Sequence, residues 1–164
     1  MTEALKLPIG TKALILSKMY YGVLNKKLEN LDIDKYFALL YFLKFNNGCK
    51  QQFLCNNLAI DKTAMVKIID YLIKSGIVDR NVNPQDRREH FIVLTKKGVR
   101  YAEEAEQAFN SLDEKMFNGV NKEEKQIFES VLNKMMLNVV ELPAIDFIFN
   151  VKKTARKKKK QVTA

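Results

Sequence analysis

Cysteine, histidine and long apolar runs are what this 164-residue chain has little of. Its two cysteines, Cys49 and Cys55, are too few for a disulfide framework, so a reducing cytoplasm is the expected setting. Six residues apart, they fall on different faces of a helix and match no common zinc spacing. The single histidine, His90, sits in an alternating, strand-like run, where a structural role is more usual than a catalytic one. No apolar stretch approaches 18 residues, which excludes a membrane-spanning helix, and no basic start followed by an apolar middle marks a signal peptide. With no phosphate-cradling glycine loop and no catalytic constellation, an enzyme is the least favoured class, and neither a cofactor nor a metal is expected.

What the chain does have is 47% hydrophobic residues, enough to bury a core, and a net charge of +9 that is unevenly spread. Residues 1–60 carry 8 Lys/Arg against 4 Asp/Glu, and residues 61–100 carry 9 against 5. Residues 101–151 reverse the balance at 4 against 10, and residues 152–164 carry 7 basic and no acidic groups. A protein that lays one face on a polyanion has use for such segregation, whereas a uniform surface role does not.

The stretch from Asp61 to Gly98 organises the rest. Asp61 stands where an N-cap should, and Met65, Ile68, Ile69, Leu72 and Ile73 form one helical stripe that Gly76 terminates. Ile77 to Val82 is rich in β-branched residues, Asn83-Pro84-Gln85-Asp86 is turn chemistry, and His90 to Leu94 resumes an apolar, strand-like run. The reading is helix, strand, turn, strand, with Arg87 and Arg88 beside the turn. Arginines on a narrow β-tip can approach a minor groove or a phosphate ridge, while a helix with Lys62, Thr63 and Lys67 near its start can enter a major groove.

Upstream, residues 11–29 read as a first helix with Leu14, Ile15, Met19 and Val23 on one side. Asp34 is placed to cap a second, nearly all-apolar helix from Lys35 to Phe45. Lys50 to Asn57 makes a short third helix, and Ala59-Ile60 turns into the fourth. After Gly98, Val99, Ala102, Ala105, Phe109, Leu112 and Met116 repeat at helical spacing. Asn121 and Glu124 then form a capping-box pattern ahead of a final helix, striped by Ile127, Val131, Leu132, Met135, Met136, Val139 and Val140, that Pro143 ends. The last stretch, Lys152 to Ala164, is low-complexity and basic, expected to stay unfolded without a partner and to act as a solvated tail or as extra affinity for DNA.

In order along the chain, these pieces resemble the MarR/SlyA family of bacterial transcriptional regulators. The resemblance rests on Leu54 to Thr63 for a helix-turn-helix, Leu72 to Arg80 for the helix-to-strand passage, and Asp86-Arg87-Arg88 with Leu94 to Gly98 for the wing. It implies a mainly α fold with a small β-hairpin, a winged helix-turn-helix domain carrying helical dimerisation segments. The matching division is an N-terminal dimerisation helix over residues 1–30, a DNA-binding domain over 31–98, C-terminal dimerisation helices over 99–150 and a basic tail over 151–164. It further implies a homodimeric, sequence-specific regulator, expected to be a repressor, on an inverted-repeat operator in double-stranded DNA. A small aromatic or lipophilic effector is expected in the cleft between dimerisation helices and winged domain. Lys62, Thr63, Lys67, Arg87 and Arg88 are the implied DNA contacts, with Asp70 and Asp86 positioning the wing and Asp70 pairing with Arg88. Departures are Ala64 and Val66, where the family often has hydroxyl residues, and the absence of a cysteine from the first helix, where some relatives sense peroxide. The alternative reading is a winged-helix module that binds protein and not DNA.

Overall fold

The computed structural model describes residues 6–33, 36–83, 90–140 and 142. Its elements run α1 (Ile9–Lys27), α2 (Phe37–Phe45), β1 (Cys49–Lys50), α3 (Gln51–Leu58), α4 (Lys62–Lys74), β2 (Val78–Val82), β3 (His90–Leu94), α5 (Lys96–Met116) and α6 (Lys122–Val139). Asp34, Pro84, Gln85, Asp86, Arg87, Arg88 and residues 143–164, including the basic tail, lie outside the described residues.

Helix α4 forms as its sequence dictates. The Asp61 carboxylate accepts a 2.9 Å hydrogen bond from the Ala64 amide, satisfying one of the free donors of the first turn. Met65, Ile68, Ile69 and Leu72 are buried on one face. At the far end Gly76 adopts φ +68°, a left-handed conformation that glycine reaches without a Cβ penalty. The amides of Gly76 and Ile77 can then bond back to the carbonyls of Ile73 and Leu72, each at 2.9 Å, closing the helix as the chain turns into β2.

The three strands form one antiparallel sheet in the order β1-β3-β2. β2 and β3 pair from Val78 with Leu94 to Val82 with His90, as the hairpin pattern predicts. The sequence pattern places Lys50 in the third helix, with no strand before it. Instead, Cys49 and Lys50 pair with Ile92 and Phe91 as an edge strand, and α3 begins one residue later at Gln51. A second difference is at α5, expected from Val99 but starting at Lys96. The Thr95 hydroxyl accepts from the Gly98 amide at 3.0 Å and donates to the Gly76 carbonyl at 2.7 Å, so it caps α5 and ties it to the end of α4. Val99 is accordingly exposed, and the buried face of α5 is Gly98, Tyr101, Ala102, Ala105, Ala108 and Leu112.

The core sits where α2, α4, α5 and the sheet meet, with Leu40, Leu43, Leu54, Met65, Leu72, Ile77 and Ile92 fully buried. Each such side chain contributes about 1.5–3 kcal/mol of hydrophobic stabilisation. Helix α5 also fastens the N-terminal helices: Tyr20 of α1 donates a 2.7 Å hydrogen bond to Asp113, and Lys44 of α2 pairs with Glu106. Helix α6 is different. Its capping box is present, with Asn121 Oδ1 accepting from the Glu124 amide and Glu124 Oε2 from the Asn121 amide, both at 2.9 Å, yet none of its residues is buried.

Candidate nucleic-acid interface

Lys62, Thr63 and Lys67 all lie exposed on the first two turns of α4, and the first turn holds no acidic residue. The macrodipole of the helix adds partial positive charge at this end, so two lysines and the helix terminus present one electropositive face. Val66 is also exposed on α4, and Ala64 is half-buried, so hydrogen-bonding groups on this face come from Thr63 and the lysines.

The hairpin stands beside this face. Arg80 of β2 donates a 2.9 Å hydrogen bond to Asp70 Oδ1 of α4, which links helix and strand directly. The side chains are 29% and 48% exposed, so water screens the pair and its value lies in orientation more than in stability. Asp70 therefore does meet the hairpin, through Arg80, a residue of the helix-to-strand motif for which the sequence implies no site role. The expected partner Arg88, and with it Arg87 and Asp86, falls outside the described residues.

Between α3, α4 and the sheet lies a cleft of about 330 Å³. Lys50 of β1, Lys62 of α4, Arg80 of β2 and His90 of β3 line it, together with Val66 and Cys55. Among the described residues no carboxylate does so. Arg80 Nε and His90 Nδ1 are buried without a hydrogen-bond partner. Nothing in hydrophobic periodicity announces this convergence, because it joins residues 40 positions apart through the pairing of β1 with β3.

The cysteines fit a packing role. Cys55 is buried, Cys49 is half-buried, and burial pushes both thiols above their ordinary range, which lowers the thiolate population needed for peroxide chemistry. Among the described residues no cluster of His, Cys, Asp or Glu could hold a metal ion, and no helix is long and apolar enough to cross a membrane.

Residues 35–90 match the model of the MarR family. The HTH-type transcriptional regulator BilQ of Clostridium symbiosum (strain WAL-14163) is 28% identical over 101 residues, spanning 60% of this chain and 70% of that protein. The solved MarR protein from Peptoclostridium difficile DA00132 superposes with a TM-score of 0.76 at 29% identity, covering 85% of this chain and 92% of that one. A mutant MarR from E. coli complexed with operator DNA superposes with a TM-score of 0.70 at 25% identity, over 79% of this chain and 94% of that one. With a helix-turn-helix at α3 and α4 and a hairpin wing at β2 and β3, the chain has a winged helix-turn-helix fold and is similar, most closely in sequence over residues 35–90, to transcriptional regulators of the MarR family.

Proposed function

We propose that the protein works as a cytoplasmic, homodimeric repressor that binds an inverted-repeat operator in double-stranded DNA. The observation that carries this reading is the exposed basic start of α4, with Lys62, Thr63 and Lys67 beside a hairpin braced against the same helix. A helix end of that kind enters a major groove with its N-terminal residues toward the base edges, while a wing tip carrying Arg87 and Arg88 lies along the adjacent minor groove. The operator-DNA complex of the similar E. coli MarR mutant supports it.

Dimerisation is supported by apolar surface that the single chain leaves uncovered. Ile127 and Leu137 of α6 are 64% and 73% exposed, and Ile9, Met19 and Val23 of α1 are exposed as well. A twofold interface buries the same patch on both chains, which suits residues 1–30 and 99–150 as dimerisation segments flanking a DNA-reading unit over 31–98. A small aromatic or lipophilic effector held between these parts would release the repressor by favouring a spacing of the two reading heads that no longer fits DNA.

A salt titration of binding to random duplex tests the reading. Affinity falling steeply and linearly on logarithmic axes as salt rises is the expected result. Weak binding that ignores salt would instead indicate a winged helix that docks on protein.

A further inference from the structure

We infer that Val66 of α4 is a base-reading residue, packing against the C5 methyl group of a thymine in each half-site of duplex DNA. This rests on the DNA-binding reading above and deepens it by naming a base that α4 selects.

Among the described residues Val66 is the one exposed large hydrophobic side chain of α4, at 37% exposure. Most other exposed apolar side chains lie on α1 and α6, where a dimer interface would cover them. Val66 belongs to neither set, and it is no part of the core face of α4, which is Met65, Ile68, Ile69 and Leu72. Its surroundings are polar: Lys62 stands one turn before it on the same side of the helix, and Thr63 and Lys67 are exposed beside it. Asp70, one turn after it, is engaged by Arg80. Helix stability does not account for a valine here, because a β-branched side chain is a poorer helix former than alanine. What valine supplies is a pair of methyl groups held in nearly one rotamer, an apolar surface that loses little freedom on binding. In a major groove thymine differs from cytosine by its O4 acceptor and its C5 methyl, and an apolar side chain recognises the methyl. The neighbouring lysines draw the helix onto the polyanion whatever its sequence. Val66, by contrast, gains only where an apolar group lies opposite it.

The test uses the full chain and the duplex that it enriches from a random pool. Replacing thymine by deoxyuridine, one position at a time, deletes only the C5 methyl. Losing one such contact should weaken binding about fourfold per half-site, and about fifteenfold when both half-sites are changed. Wild type should show that loss at one symmetry-related pair of thymines. Val66→Ala should bind the thymine duplex about as weakly as wild type binds the uracil duplex, and should be indifferent to the replacement. Alanine favours the helix and the position is exposed, so this variant should melt near wild type. Should it melt well below, Val66→Ser is the second variant, with the same indifference to uracil expected. Uracil tolerated by wild type at every position overturns the inference. So does a uracil loss of equal size in the Val66 variants, which would put the methyl against another residue or make it a matter of duplex shape. Either result leaves sequence-selective binding standing. Wild type that enriches no sequence and shows no salt-dependent duplex binding fails the DNA-binding reading itself, and this inference with it.

Discussion

Arg80 of β2 and Asp70 of α4, ten residues apart in sequence, meet through a 2.9 Å hydrogen bond that spans the turn between recognition helix and wing. A partly exposed ion pair of this kind is worth about 0–1 kcal/mol, so its consequence is geometric. It ties β2, at the base of the hairpin, to the outer face of α4.

The wing tip itself is predicted to carry binding energy. Arg87→Ala or Arg88→Ala should weaken operator binding by about 1–3 kcal/mol if the side chain enters a groove, and by less if it meets a phosphate alone. Fluorescence anisotropy on labelled duplex reads this directly. Affinity unchanged in both variants would take the wing out of the mechanism.

The contact between α1 and α5 is predicted to depend on alkaline pH. Burial, followed by the hydrogen bond to Asp113 and its negative charge, pushes the Tyr20 hydroxyl well above the ordinary tyrosine range. A group raised in the folded state stabilises the fold below its unfolded value, near pH 10, and loses that contribution as pH rises beyond it. Tyr20→Phe should therefore cost about 1 kcal/mol near neutrality. Urea melts above pH 10 should show wild type losing stability faster than Tyr20→Phe, and parallel losses would refute the assignment.

Much of this architecture is legible in the sequence where a single residue type answers a local need. Asp61 at an N-cap, Gly76 at a left-handed helix end and the Asn121/Glu124 box each mark a boundary that the structure keeps. The β3 boundaries follow equally from the apolar run between His90 and Leu94. What the sequence hides is whatever depends on distant chain. Two residues, Cys49 and Lys50, are too short for a period and become a strand only because Ile92 and Phe91 pair with them. The early start of α5 is concealed because Lys96 and Lys97 carry no apolar signal, and the Thr95 cap reveals itself only by its bonds to Gly98 and Gly76. That Asp70 meets Arg80 follows from strand geometry and not from any pattern.

Close approach of α5 to the end of α4 gives a stability prediction. A Cβ on Gly98 would lie 2.0 Å from the Ile77 carbonyl oxygen and 3.1 Å from Leu94 Cδ2, and the first of these is backbone that has little room to yield. Gly98→Ala should destabilise by about 3 kcal/mol, the upper part of the usual range for overpacking, as read from the urea midpoint. Wild-type stability in this variant would mean that α5 docks differently.

The central claim is that two copies of α4, related by a twofold axis built from α1, α5 and α6, read one face of the duplex together. Selection of bound sequences from a random duplex pool tests it most directly. Two recognition helices ~34–36 Å apart fit successive major grooves, so the enriched sequences should be inverted repeats with half-site centres ~10 base pairs apart. Enriched sequences that lack a dyad, or that are bound by one chain per duplex, would contradict it.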